Sequence, residues 1–224
     1  MDRKFEEETA AMAEPVTELD LVVGSMLTTP PDEDRESYEE EREWLQDVQD
    51  LLREEGVEVD LLSQPGVEVW EGGIERFYDL YQLKRLAAHL ERGEDVQALL
   101  NEPLGEEEDV DDLLADIWDD EAPTRFPHLI KHQGDGGYYL PVDFAEPIWL
   151  EYGDEEESDG MELADEENAV SFGSSVALLR ELTELEQLLQ QAGVPHTSGP
   201  RKALDVLKTA AQKSMETGLP IILW

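Results

Sequence analysis

Residues 126 to 144 read FPHLIKHQGDGGYYLPVDF. Two apolar-alternating runs flank the turn Gln133-Gly134-Asp135-Gly136-Gly137, whose glycines suit the positive backbone angles of a tight reversal. The pattern predicts a β-hairpin with strands near His128 to His132 and Tyr138 to Phe144. Pro141 has no amide hydrogen to give to a ladder, so the second strand is expected at an edge there, or bulged. The stretch also holds two of the four histidines, a tyrosine pair and two aspartates, so hairpin chemistry and reactive side chains coincide.

On the C-terminal side, residues 152 to 169 read YGDEEESDGMELADEENA, with no base and little apolar content, and are expected to form a mobile acidic loop. Ser174 then caps a predicted helix with Leu178, Leu179, Leu182, Leu185 and Leu189 as its buried stripe and Gly193 as its stop. A last helix is predicted from Arg201 to Thr217, stopped by Gly218. Ile221-Ile222-Leu223-Trp224 reads as a buried strand.

On the N-terminal side, residues 1 to 17 have no sustained period and read as a frayed lead-in. Leu19, Leu21, Val22 and Val23 form a short strand ended by Gly24. A helix follows, with Thr29 as cap, Pro30 in its first turn and Tyr38, Leu45, Val48 and Leu52 on one side; Gly56 stops it. Val57, Val59 and Leu61 alternate with acids as a half-buried strand does, and Val67 to Trp70 form another strand. Ile74 to Leu90 form an amphipathic helix stopped by Gly93, and shorter helices are expected near Val96 to Leu100 and Val110 to Trp118. Lys84, Arg85, His89 and Arg92 cluster toward the end of the Ile74 helix, where cations complement its dipole.

Strands scattered between helices predict an α/β or α+β protein, one domain over residues 1–224, with a single mixed sheet covered by several helices. A hydrophobic fraction of 40% and five tryptophans are enough for a sizeable core. With no cysteine, disulfides and thiolate metal sites are excluded. No apolar run reaches the roughly 20 residues of a membrane span. The first ten residues lack the apolar segment of a secretory signal, so a cytoplasmic location is expected.

The formal net charge is −41, the wrong sign for direct binding to DNA or RNA. From Val170 onward five acids balance five bases, which leaves 52 acids against 11 bases in residues 1–169. Such asymmetry points to a non-enzymatic protein-binding module whose acidic part engages a basic protein, in the manner of an immunity or inhibitor protein. Asp154, Glu155, Glu156, Glu157 and Asp159 are the candidate contact residues. A salt-adapted surface is the alternative, weakened by the balanced C-terminal helices.

His132, Asp135, Tyr138 and Asp143 are the candidate catalytic residues, and His128, His132 and Asp135 the candidate ligands of a divalent metal, because imidazole and carboxylate serve both acid–base and ligand roles. A small metal-assisted hydrolase is thus a further alternative, although Asp143 lies five residues beyond Tyr138, roughly 16 Å along a strand. The structural reading of the same residues is a turn aspartate, packed tyrosines and a loop-bonding aspartate, with no cofactor. EEEDVDDLLADIWDDE lacks the spacing and glycine of an EF-hand, and neither a Walker loop, a G-x-G-x-x-G motif nor a G-x-S-x-G elbow is present.

HLIKHQGDGGYYLPVDF, GSSVALLRELTELEQLL and SMETGLPIILW together resemble a set of uncharacterised bacterial proteins with an H-x-D-x-x-GYY-x-P-x-DF-like segment and a GSS-x-x-LL-x-EL helix. The resemblance covers about 45 residues and departs at Gln133-Gly134, where a serine and an aspartate nearer the histidine are expected. It implies no activity, so it carries no catalytic residue to this chain.

Overall fold

The computed structural model describes residues 17–101, 110–134, 136–151 and 169–224. β1 (Leu19–Gly24) is buried at every position but Asp20, as a strand covered on both faces is, with Leu19, Leu21 and Val23 packed into the larger core. It pairs antiparallel with β2 (Glu68–Ile74) on one side and β6 (Ile221–Leu223) on the other. β6 also pairs antiparallel with β3 (Gly137–Leu140), β3 runs parallel to β5 (Ala169–Ser174), and β5 pairs antiparallel with β4 (Ile148–Glu151). The result is one six-stranded mixed sheet of order β2-β1-β6-β3-β5-β4, and the fold is α+β.

Two cores lie on its two faces. Leu19, Leu21, Val23, Tyr139, Ile221 and Leu223 face helices α2 (Phe77–Leu90), α5 (Ser175–Gln191) and α6 (Gly199–Thr217). The smaller helices α3 (Asp112–Trp118) and α4 (Pro127–Ile130) close this core at its side. The opposite face, with Leu140, Leu150, Phe172 and Ile222, is covered by α1 (Arg35–Glu54) and by Met26, Leu27, Val57 and Leu61. Leu45, Val48 and Leu52 carry that contact, at about 1.5–3 kcal/mol for each buried aliphatic side chain. Among the described residues no helix is long and apolar enough to cross a membrane.

Several expectations are corrected. The hairpin does not form: residues 127–130 are the helical turn α4, and β3 pairs with β5 and β6. β3 is interior to the sheet and ends at Leu140, so Pro141 lies just past the last paired residue. α1 begins at Arg35, with the Asp34 carboxylate accepting from the Glu36 and Ser37 amides. The expected cap, Thr29, joins Thr28 in donating hydroxyl and amide hydrogens to the Glu41 carboxylate at 2.7–3.1 Å, which pins α1 to the exit of β1. Residues 57–61 are irregular; their alternation records packing of Val57 and Leu61 beneath α1, and the Leu61 amide donates to Gln49 Oε1 at 3.0 Å. The frayed stretch placed at residues 1–17 lies outside the described residues except for Thr17, and the acidic loop placed at 152–169 except for Ala169.

Gly173 shows how tightly β5 is packed. His132 and Tyr139 stack with centroids 3.9 Å apart directly over it. A Cβ there would lie 2.9 Å from His132 Cδ2 and closer still to the Tyr139 ring. Gly173→Ala is expected to destabilise the fold by about 1–3 kcal/mol through overpacking, read as a lowered urea midpoint with an unchanged slope.

Candidate functional site

Pro127 suits the first turn of a helix because it has no amide to leave unpaired. The next two amides, of His128 and Leu129, donate to the Glu181 carboxylate of α5 at 3.1 and 2.9 Å. Glu181 is 7% exposed. His128 Nδ1 accepts the Ser174 amide hydrogen at 3.0 Å, so the ring proton sits on Nε2, which donates to the Phe144 carbonyl at 3.0 Å. Ser174 accepts from the Ala177 amide, capping α5, and donates its hydroxyl to the Val142 carbonyl at 2.6 Å. The Tyr139 hydroxyl donates to the His128 carbonyl at 3.0 Å. His132 Nδ1 and Nε2 face the Gln133 and Tyr138 carbonyls at 2.7 and 3.1 Å, while Lys84 Nζ donates to the His132 carbonyl at 2.7 Å. These bonds join α4, β3, β5 and α5.

The candidate catalytic residues therefore disperse. His128 and His132 are buried with their ring nitrogens held against protein atoms. Tyr138 stacks on Phe172 on the other face of the sheet from Tyr139, with centroids 5.3 Å apart. Asp143 is exposed and pairs with both terminal nitrogens of Arg180 at 2.8 Å. Asp135 lies outside the described residues, as do the candidate contact residues Asp154, Glu155, Glu156, Glu157 and Asp159. Among the described residues no three His, Asp or Glu side chains converge in a way that could hold a metal ion.

The basic cluster is consumed by the fold. Arg85 Nε lies 2.6 Å from Asp111, His89 bridges Asp111 and Glu94, and Arg92 reaches Glu91 and the Pro123 carbonyl. Since Asp111 also caps α3, the cluster fastens α3 to α2.

The outer side of α1 is different. At 3.6 residues per turn, Glu36, Glu40, Glu43, Asp47, Asp50 and Glu54 fall on one line, each one turn from the next, diametrically opposite Leu45, Val48 and Leu52. All six are exposed, and the line runs about 27 Å at 1.5 Å per residue. Asp50 pairs with Arg53; among the described residues the other five make no ion pair within 4 Å. The acidic line has the same three-to-four spacing as the apolar side of this helix, so the order of the acids in the sequence carries it. Trp44 and Leu51, 37% and 38% exposed, flank the line on one side. Arg35, Arg42 and Arg53 flank it on the other.

Fold and surface together define an acidic α+β protein with a carboxylate-lined helix face. The chain belongs to the family described as "Putative DNA-mimic protein", whose profile matches residues 17–223. No curated protein and no solved structure matches it.

The buried network sets a pH response. Burial pushes His128 down to about 4 and His132 to about 3, against the carbonyls that favour their protonated forms. Burial pushes Glu181 up to about 8, against its two amide donors. The histidines take up protons on unfolding, so stability is lost as pH falls from about 6.5 through those values. Glu181 acts oppositely, and its contribution is lost as pH rises from 4.5 through about 8. In urea titrations the advantage of wild type over Glu181→Gln is expected to shrink steadily between pH 4.5 and 8, with the acid limb unchanged.

Proposed function

We propose that the chain is a non-enzymatic binding protein that occupies the DNA-binding surface of a basic partner protein in place of DNA. The observation that carries this reading is the outer line of α1: six carboxylates at one per turn, five of them in no ion pair within 4 Å among the described residues, on a helix whose other side is fixed to the sheet. One charge per about 5.4 Å of helix axis is sparser than the one per 3.4 Å along a single DNA strand, but it likewise sets like charges in a regular row. The family's description supports the same reading.

The physics of such a complex follows from the charge. A net −41 repels phosphate backbones and attracts the lysines and arginines that evolved to neutralise them. It accelerates encounter at low salt, and screening beyond about 10 Å at 0.1 M ionic strength weakens it. Because α1 is held by buried aliphatic side chains, its carboxylates are presented on a preformed rod, and less ordering entropy is lost on binding than a flexible acidic tail would lose.

The test has two stages. Immobilised protein is exposed to lysate of its source cells, bound proteins are eluted with salt, and the eluted species is assayed for binding to labelled duplex with and without the chain. The expected outcome is a basic protein that releases duplex as the chain is added, with an affinity that falls as salt rises. A partner that keeps its duplex, or an affinity independent of ionic strength, overturns the reading. The triple variant Glu40→Gln, Glu43→Gln, Asp47→Asn is expected to weaken partner binding about tenfold at low salt and to flatten the salt dependence, with the thermal midpoint retained.

A further inference from the structure

We propose that the outer face of α5 and α6 receives a second copy of this chain, with the two α5 helices antiparallel across a two-fold axis beside Thr183. Three observations carry it: the charge balance of this face, its exposed apolar side chains, and the order of charges along α5. None of them involves α1, so the inference stands apart from the proposed function.

A chain of net charge −41 repels its own copies wherever that charge is unbalanced. The excess lies in residues 1–169, whereas from Val170 onward acids and bases are equal in number. They are matched in space as well. Arg180 pairs with Asp143, Glu184 with Arg125, Glu186 with Lys208, Lys213 with Glu216 and Lys202 with Glu75. On the outer side of α5, Val176, Arg180, Thr183 and Gln187 recur at steps of four, three and four, opposite the buried Leu178, Leu182, Leu185 and Leu189. The one charge in that line, on Arg180, is already neutralised by Asp143. A groove of about 390 Å³ runs between α5 and α6, with Val176, Leu179 and Met215 as its apolar lining, and Met215 is 44% exposed. This is therefore the face on which one copy meets another with least repulsion and with apolar surface to cover.

The order of charges makes the face complementary to itself. A two-fold contact sets residue i of one copy beside j of the other, and j beside i. Arg180 and Glu184 stand one turn apart on the same flank of α5, about 6 Å along its axis. Two α5 helices packed antiparallel about the midpoint bring each Arg180 beside the other copy's Glu184, on the same flank. Because Arg180 holds Asp143 and Glu184 holds Arg125, the contact creates a row of alternating sign, Asp143, Arg180, Glu184 and Arg125, twice across the axis. A parallel pair sets these flanks on opposite sides and forfeits both rows. Thr183 lies within about 1.5 Å of the midpoint along the helix and faces its counterpart. Two helices about 25 Å long and about 9 Å apart offer roughly 500 Å² per copy, the low end of specific interfaces, so the dimer is a weak and reversible one. Since α1 covers the opposite face of the sheet, the dimer leaves both α1 faces turned outward.

The test is sedimentation equilibrium of the full-length chain at about 0.1 M and about 1 M salt. A monomer–dimer equilibrium is expected whose dimer strengthens as salt rises, because screening removes the repulsion between copies while the apolar contact persists. Thr183→Glu and Thr183→Lys, each with its thermal midpoint unchanged, put like charges face to face and are expected to weaken the dimer about tenfold. An equimolar mixture of the two variants is expected to restore it, since a glutamate then meets a lysine at the axis. A chain that stays monomeric at about 200 μM in molar salt overturns the inference, because even a weak specific interface of this size associates there. A dimer indifferent to both variants overturns it as well, and so does a mixture that associates no better than either variant alone. The proposed function is read separately, from release of duplex by an interaction that weakens with salt, so either inference can fail while the other stands.

Discussion

The helical side of this protein depends on where one buried carboxylate finds its donors. Glu181 points from α5 into the protein interior and receives the first two amides of α4. A four-residue helix cannot hold itself, because nucleating one turn costs more than its single closing bond returns. With Glu181 in place, α4 carries His128 to the Ser174 amide and the Phe144 carbonyl, and the backbone that follows carries His132 to the stack on Tyr139. Ser174 in turn caps α5, the helix that bears Glu181, so the arrangement closes on itself. Removing the acid would leave two buried amides unpaired, each at about 1–3 kcal/mol.

The other side of the sheet is simpler and more open. One amphipathic helix covers it, helped by irregular segments from Met26–Leu27 and Val57–Leu61. α1 thus has two separate tasks on opposite sides of one cylinder: aliphatic residues fix it to the sheet, and carboxylates face away. Its rigidity is borrowed from the core; among the described residues only Glu41 ties its carboxylates to the rest of the fold, through the two threonines, while Glu39 and Asp50 pair with Arg35 and Arg53 of the same helix.

Much of this is legible in the residues. β1, the apolar side of α1, α2, α5 with its Ser174 cap, α6 with Gly218 in the left-handed conformation, and β6 all follow from local period and capping chemistry. The hairpin at 128–144 fails because its alternative is stabilised from far away: the carboxylate that makes residues 127–130 helical lies 53 positions from His128. Residues 57–61 alternate because one side is buried under α1, and alternation reports burial whether or not the backbone is paired. β4 carries too short an apolar run before its acids to be recognised without its partner β5. The acidic line of α1 is fully written in the spacing of its glutamates and aspartates. It is found only when charged residues are examined for period as apolar ones are.

The position of β6 bears on how the protein comes into being. Residues 221–223 lie between β1 and β3, so within the sheet the β2-β1 pair and the β3-β5-β4 group meet through β6, which is made after the other five strands. During translation the two groups exist without the strand that joins them, and the long-range pairing that completes the sheet is deferred until synthesis has passed residue 223. Ile222 of that strand belongs to the core on which α1 rests, so the footing of its carboxylate line is completed once β6 is in place.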